Sequence, residues 1–161
     1  MSESLSKEKL FLKAAKAGDL DTLKNLIKDV DINCHDNQFR TALHKSTWNA
    51  HLDVMKYLIA NGANINAKHS KEWSPLHFSS FAGNLDVTKC LVQHGADINL
   101  ENSDKYTALH IAAQEGNYEM AQYLIENGAD VLAVADDGVN MLNWATKYYS
   151  EDIILGLLKK G

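Results

Sequence analysis

A chain of 161 residues with 45% hydrophobic and 23% charged content has the length and make-up of one folded domain. Its formal net charge of −5 opposes tight binding to phosphate backbones, which requires clustered Lys and Arg, so nucleic acid is not an expected partner. Residues 1–10 read MSESLSKEKL, with no apolar stretch of secretory length, and no apolar run approaches the ~18 residues that span a bilayer; the expectation is a soluble protein of the cytoplasm or nucleus with no membrane partner.

Residues 6–35 read as a helical pair. Lys7, Glu8, Lys9, Lys13 and Lys16 keep one side polar, while Leu10, Phe11, Ala14, Ala15, Leu20, Leu23, Leu26 and Ile27 supply a buried side, the pattern of a unit that caps the start of a stack. Three full units follow at 36–68, 69–101 and 102–134. Their period is set by Leu43, Leu76, Leu109 and Leu142, which recur every 33 residues inside one phrase: Thr41 to His44, Ser74 to His77, Thr107 to His110, and Asn140 to Asn143. A second phrase keeps the same register: Gly62-Ala63-Asn64-Ile65-Asn66, Gly95-Ala96-Asp97-Ile98-Asn99 and Gly128-Ala129-Asp130-Val131.

The middle unit shows how each is built. Ser74 is a natural N-cap and Pro75 fits the first helical turn, so a helix is predicted over about 75–82, ended by Gly83. The apolar spacing of 85–92 predicts a second helix, closed by Gly95 and returning antiparallel to the first. The segment joining one unit to the next is too short and polar for a helix and reads as a projecting β-turn finger. A partial unit, 135–161, completes the single domain of 1–161. In it Ile154 and Leu155 form an apolar edge, Leu155 standing where earlier units carry Lys56, Lys89 and Gln122, while Gly156 weakens the helix by ~1 kcal/mol relative to Ala.

The period and the two phrases together resemble the ankyrin repeat family over nearly the whole chain. The resemblance implies an all-α repeat solenoid, an ankyrin repeat array of paired antiparallel helices with projecting β-turn fingers. It also implies that Thr41, Ser74 and Thr107 cap their helices and bond His44, His77 and His110, whose rings tie adjacent repeats together. The chemistry agrees, since a hydroxyl satisfies free N–H groups at a helix start and a neutral imidazole offers one donor and one acceptor. Members commonly carry Gly two residues before the phrase Thr, yet Phe39, Glu72 and Lys105 stand there and only Gly138 conforms, which predicts reshaped finger tips.

Chemistry is weakly represented. Phrase histidines one helix spacing apart, roughly 10 Å, cannot share a zinc whose ligand bonds are near 2 Å, so no metal is expected. Cys90 and His94 have i, i+4 spacing, the basis of a remote reading as a Cys/His enzyme or metal protein, but Cys90 aligns with Tyr57 and Tyr123 at a core-facing position. Cys34 aligns with Ala67 and Leu100 as filler, and two cysteines are too few for a disulfide framework. No catalytic residue and no cofactor are expected.

The resemblance therefore points to a non-enzymatic adaptor, scaffold or regulatory subunit, a monomer or part of a hetero-complex, that binds a protein through its concave face. The residues at those positions are Arg40, Trp73 and Tyr106 along the finger tips, and Trp48, Phe81, Gln114 and Tyr148 along the helix ends. Trp, Tyr and Arg are the types most enriched at binding hot spots. Trp73 and Tyr106, at projecting tips, are expected to find little to pack against, whereas Trp48 and Phe81 have the option of packing on each other. The alternative is docking through the C-terminal edge at Ile154 and Leu155. In some animal members the Asn of the second phrase is hydroxylated where a Leu stands eight residues earlier, which brings in Asn66 and Asn99 with Leu58 and Leu91. The competing structural reading has these Asn adopting the left-handed conformation and bonding their own backbone.

Overall fold

The protein's structure, a computed structural model, describes residues 6–140. They form eight α-helices in four antiparallel pairs: α1 Lys7–Ala17 with α2 Leu20–Leu26, α3 Ala42–Trp48 with α4 Leu52–Ala60, α5 Pro75–Ala82 with α6 Leu85–Gln93, and α7 Ala108–Gln114 with α8 Tyr118–Glu126. Asn143, Tyr148, Ile154, Leu155 and Gly156 lie outside the described residues, and so does most of the partial unit 135–161.

Each first helix starts where a hydroxyl side chain accepts an otherwise orphaned N–H. Ser6 accepts from Lys9, Thr41 from His44, Ser74 from His77 and Thr107 from His110. Pro75 occupies the first turn of α5, and Gly83 ends that helix with φ of +70°. The first helices then stack in order, α1 on α3, α3 on α5 and α5 on α7, with α4, α6 and α8 behind them. The core is continuous through the stack, from Phe11 and Leu23 through Leu43, Met55 and Leu58 to Leu76, Leu91, Leu109, Met120 and Leu124, all at most 2% exposed.

In the first helix Leu10, assigned to the buried side, is exposed, and Leu12 is buried instead. At 100° per residue the buried arc centres on Phe11 and Ala15, which puts Leu10 at its edge.

Between helix pairs the chain forms the fingers. In the first, Asp36 N donates to the Arg40 carbonyl at 3.1 Å and Phe39 N to the Asp36 carbonyl at 2.9 Å, and the next three repeat the pattern at His69, Asn102 and Ala135. Successive fingers also bond each other, Ser70 N to the Gln38 carbonyl, Ser103 N to Lys71 and Asp136 N to Asp104. The expectation of reshaped tips is therefore corrected. Phe39, Glu72 and Lys105 adopt φ of +61°, +57° and +58°, the left-handed conformation that Gly138 takes at +80°. The finger ladder imposes the turn, and each side chain bears a strain of about 1 kcal/mol or more that Gly would avoid.

Side chains supply the remaining ties. Asn33 Oδ1 accepts from Asn64 N, Asn66 Oδ1 from Asp97 N at 2.9 Å and Asn99 Oδ1 from Asp130 N at 2.7 Å. These Asn neither occupy the left-handed region nor bond their own backbone; each reaches 31 residues forward to the next unit. Their expected local role is replaced by an inter-repeat one.

The strongest tie is the phrase histidine. His44 Nδ1 accepts from Thr41 N at 3.2 Å, and its Nε2 meets the Trp73 carbonyl at 3.0 Å. His77 does the same with Ser74 N and the Tyr106 carbonyl, while His110 bonds Thr107 N and crosses to the Ala133 carbonyl, on the other arm of its finger. A carbonyl only accepts, so Nε2 must carry the proton and the ring must be neutral. Burial, above the opposing pull of the carbonyls, lowers His44 and His77 to about 4.

Because the folded pKa lies below the unfolded 6.5, this stability is complete above about pH 6.5 and is lost as pH falls through 4. Each shift corresponds to roughly 3 kcal/mol, so two such histidines rival the whole stability of an ordinary domain. Urea melts should show a steep decline between pH 6.5 and 4. His77→Ala should lose roughly 1 to 3 kcal/mol at pH 7 and show a shallower decline; unchanged stability at both pH values would contradict the bridging role.

The interior beside these histidines is polar in the first two full units and apolar in the third. Ser46-Thr47 and Ser79-Ser80 hold the register that Ala112-Ala113 holds later. Ser46 Oγ donates to the Leu43 carbonyl and Ser79 Oγ to that of Leu76, but Thr47 Oγ1 and Ser80 Oγ are buried without a hydrogen-bond partner. Ser80→Ala removes an unsatisfied hydroxyl and should raise stability by about 1 kcal/mol, read as a higher urea midpoint. A midpoint at or below that of the parent would show that the hydroxyl is satisfied.

Candidate partner-binding face

The stack and the fingers bring side chains from different units to one face. Trp48, on the last turn of α3, and Phe81, in the equivalent register of α5, are 49% and 44% exposed. Their rings stack at 6.0 Å with planes 17° apart, because α3 and α5 pack side by side. Phe78 lies beneath with its edge against Trp48 at 5.5 Å. The exposed pair is thus pre-ordered, with little rotamer freedom left to lose on binding.

Trp73 departs from expectation. It is half-buried and in ring contact with His69, His77, Phe78 and Phe81, so a finger-tip position supplies it with more packing than the helix-end aromatics have on their outer sides. The fingers bond back onto the stack through the phrase histidines, which brings the Trp73 indole against the rings of α5. Tyr106 is half-buried too, with its ring edge toward His110 and its hydroxyl donating to Asp137. That bond, with burial, pushes the phenol up to about 12. Gln114 is exposed at the end of α7. The ring contacts of the aromatic surface run from Trp48 through Phe81 to Trp73, and Tyr106 packs separately on His110.

At the other side of Trp48 lies a recess of about 180 Å³, lined by Lys16, Arg40, His44, Lys45, Trp48, Asn49 and Phe78. Arg40 is half-buried and its guanidinium sits 2.9 Å from Asp36, which also holds Lys45 at 2.7 Å. Burial would raise the Asp36 carboxyl, but Lys45, Arg40 and the backbone N–H groups of Arg40 and Gln38 outweigh it and hold the group well below the usual carboxylate range.

The remaining sequence candidates separate. His94 Nδ1 lies 2.7 Å from the Cys90 carbonyl and 3.9 Å from its sulfur, so the ring's nearer bond is to backbone. Burial raises the Cys90 thiol, and burial with nearby Asp31 and Glu8 pushes Cys34 up to about 11, opposite to what a nucleophile needs. Among the described residues no group of three or more His, Cys, Asp or Glu is placed to hold a metal, and no helix is long and apolar enough to cross a membrane.

Sequence reasoning missed four contributors to this face. Phe78 shares the register of Lys45 and Ile111, a variable position that signals surface. His69 stands where other fingers have Asp36 and Asn102 and replaces their turn bond, its Nδ1 accepting from Lys71 N at 2.9 Å. Lys16 belongs to the polar side of α1 and also lines the recess. Phe39, 53% exposed at a left-handed finger tip against His35, carried its own signal as a bulky residue in a glycine position.

A family model described as ankyrin repeats (3 copies) matches residues 10–102 and 95–161. The chain is also similar to palmitoyltransferase akr1 of Schizosaccharomyces pombe, at 45% identity over 60 residues covering 36% of this chain and 9% of that protein. Ankyrin repeat domain-containing protein 49 of Bos taurus is 39% identical over 61 residues, 37% of this chain and 26% of that protein. RelA-associated inhibitor of Mus musculus is 35% identical over 66 residues, 40% of this chain and 8% of that protein. The matched stretches thus span about a quarter or less of these relatives.

Proposed function

The chain belongs to the ankyrin repeat family, and on that premise we propose that it is a non-enzymatic adaptor, scaffold or regulatory subunit that holds a protein partner against its finger-side face. Its full repeats are 36–68, 69–101 and 102–134, it works in the cytoplasm or nucleus, and it acts as a monomer or within a hetero-complex. The observation that carries the reading is the stacked, half-exposed Trp48–Phe81 pair. Monomers seldom present large stacked aromatics to water without use for them, and such residues dominate interface energies when a partner covers them. Trp73 packs on Phe81, and Arg40, Tyr106 and Gln114 belong to the same proposed face.

The roles differ in what their removal does. Trp73 is packed on four rings, so its loss costs stability and binding together. Trp48 and Phe81 separate the two effects because each is nearly half exposed. The Trp48→Ala/Phe81→Ala variant should stay folded at 25 °C with a lowered melting temperature and weaken partner capture by roughly thirtyfold or more, the loss of about 2 kcal/mol. Capture at wild-type affinity by that variant would move the binding site elsewhere.

A further inference from the structure

We propose that the segment bound on this face is an acidic peptide, with a carboxylate seated in the recess beside Trp48 and an apolar side chain laid across the Trp48–Phe81 stack. This rests on the binding-face reading above. Three of the residues lining the recess, Lys16, Arg40 and Lys45, are cations, and none is a carboxylate. Asp36 is paired with both Arg40 and Lys45, so one carboxylate answers two of these cations. Lys16, exposed on the last turn of α1, lines the same opening.

The surroundings focus this charge. Residues 1–68 hold ten Lys and Arg against eight Asp and Glu, whereas 69–134 hold three against nine. A negatively charged segment is therefore drawn to the N-terminal end of the groove and repelled from the third full repeat. A long polyanion such as nucleic acid would cross that acidic region, which favours a short acidic stretch of protein with an apolar neighbour. The aromatic stack beside the cations gives such a neighbour its seat.

The test is selection of binders from a random peptide library on the wild-type chain, with the selected peptides titrated against two variants that keep the fold. Lys16→Glu alters an exposed side chain, and Trp48→Ala/Phe81→Ala removes the stack. The expected result is peptides rich in Asp and Glu next to an apolar residue, bound about tenfold or more weakly by Lys16→Glu and weakened by added salt. Neutral or basic peptides that need the aromatic pair but ignore Lys16→Glu would overturn the acidic assignment and leave the binding face standing. An absence of binders, or binders indifferent to both variants, would overturn both. Labelled oligo-dT that binds with Lys16 dependence where acidic peptides do not would overturn the peptide assignment in favour of nucleic acid.

Discussion

A neutral imidazole with one nitrogen in its own repeat and the other on the next is the interaction the rest of the structure depends on. Nδ1 of His44 completes the cap of α3 while Nε2 fastens the following finger, and His77 repeats the arrangement one unit on. Each helix pair alone is too short to be stable and exposes an apolar side that only a neighbour covers. Buried at 1% exposure, the imidazole fixes the distance and register at which that neighbour sits. The Asn ladder and the finger-to-finger backbone bonds hold the same register at further points.

Function follows from that register. Residues 33 apart in sequence become side-by-side neighbours, so Trp48 meets Phe81, and the carbonyl of Trp73 that accepts from His44 also anchors the indole above it. The same framework brings Lys16, Arg40 and Lys45, from three successive segments, around one opening. Strain is tolerated in the fingers for a related reason. Three non-glycine residues hold positive φ because the ladder on both sides over-determines their conformation, and this leaves Phe39 projecting at the first tip.

Much of the fold was legible in the sequence because its signals are local and repeated. Ser74, Pro75 and Gly83 name the start and stop of α5 to the residue, and the resemblance to ankyrin repeats implies the bridging of the phrase histidines. What was not legible depends on the neighbouring unit. Glycine's absence at Phe39, Glu72 and Lys105 read as a change of shape, but the finger ladder outweighs the side-chain preference. Asn66 and Asn99 read as local turn formers, yet their oxygens reach the next repeat. The packing of Trp73 was missed because finger tips look isolated in sequence and lie against His69, Phe78 and Phe81 in space.

The register of the stack depends on the state of three rings. Long-range nitrogen–proton NMR on uniformly labelled protein at neutral pH reads the tautomer of each histidine directly. His44, His77 and His110 should appear neutral with the proton on Nε2, the only form that serves both the capping N–H and the carbonyl of the next unit. Protons on Nδ1, or imidazolium rings, at these three positions would contradict it.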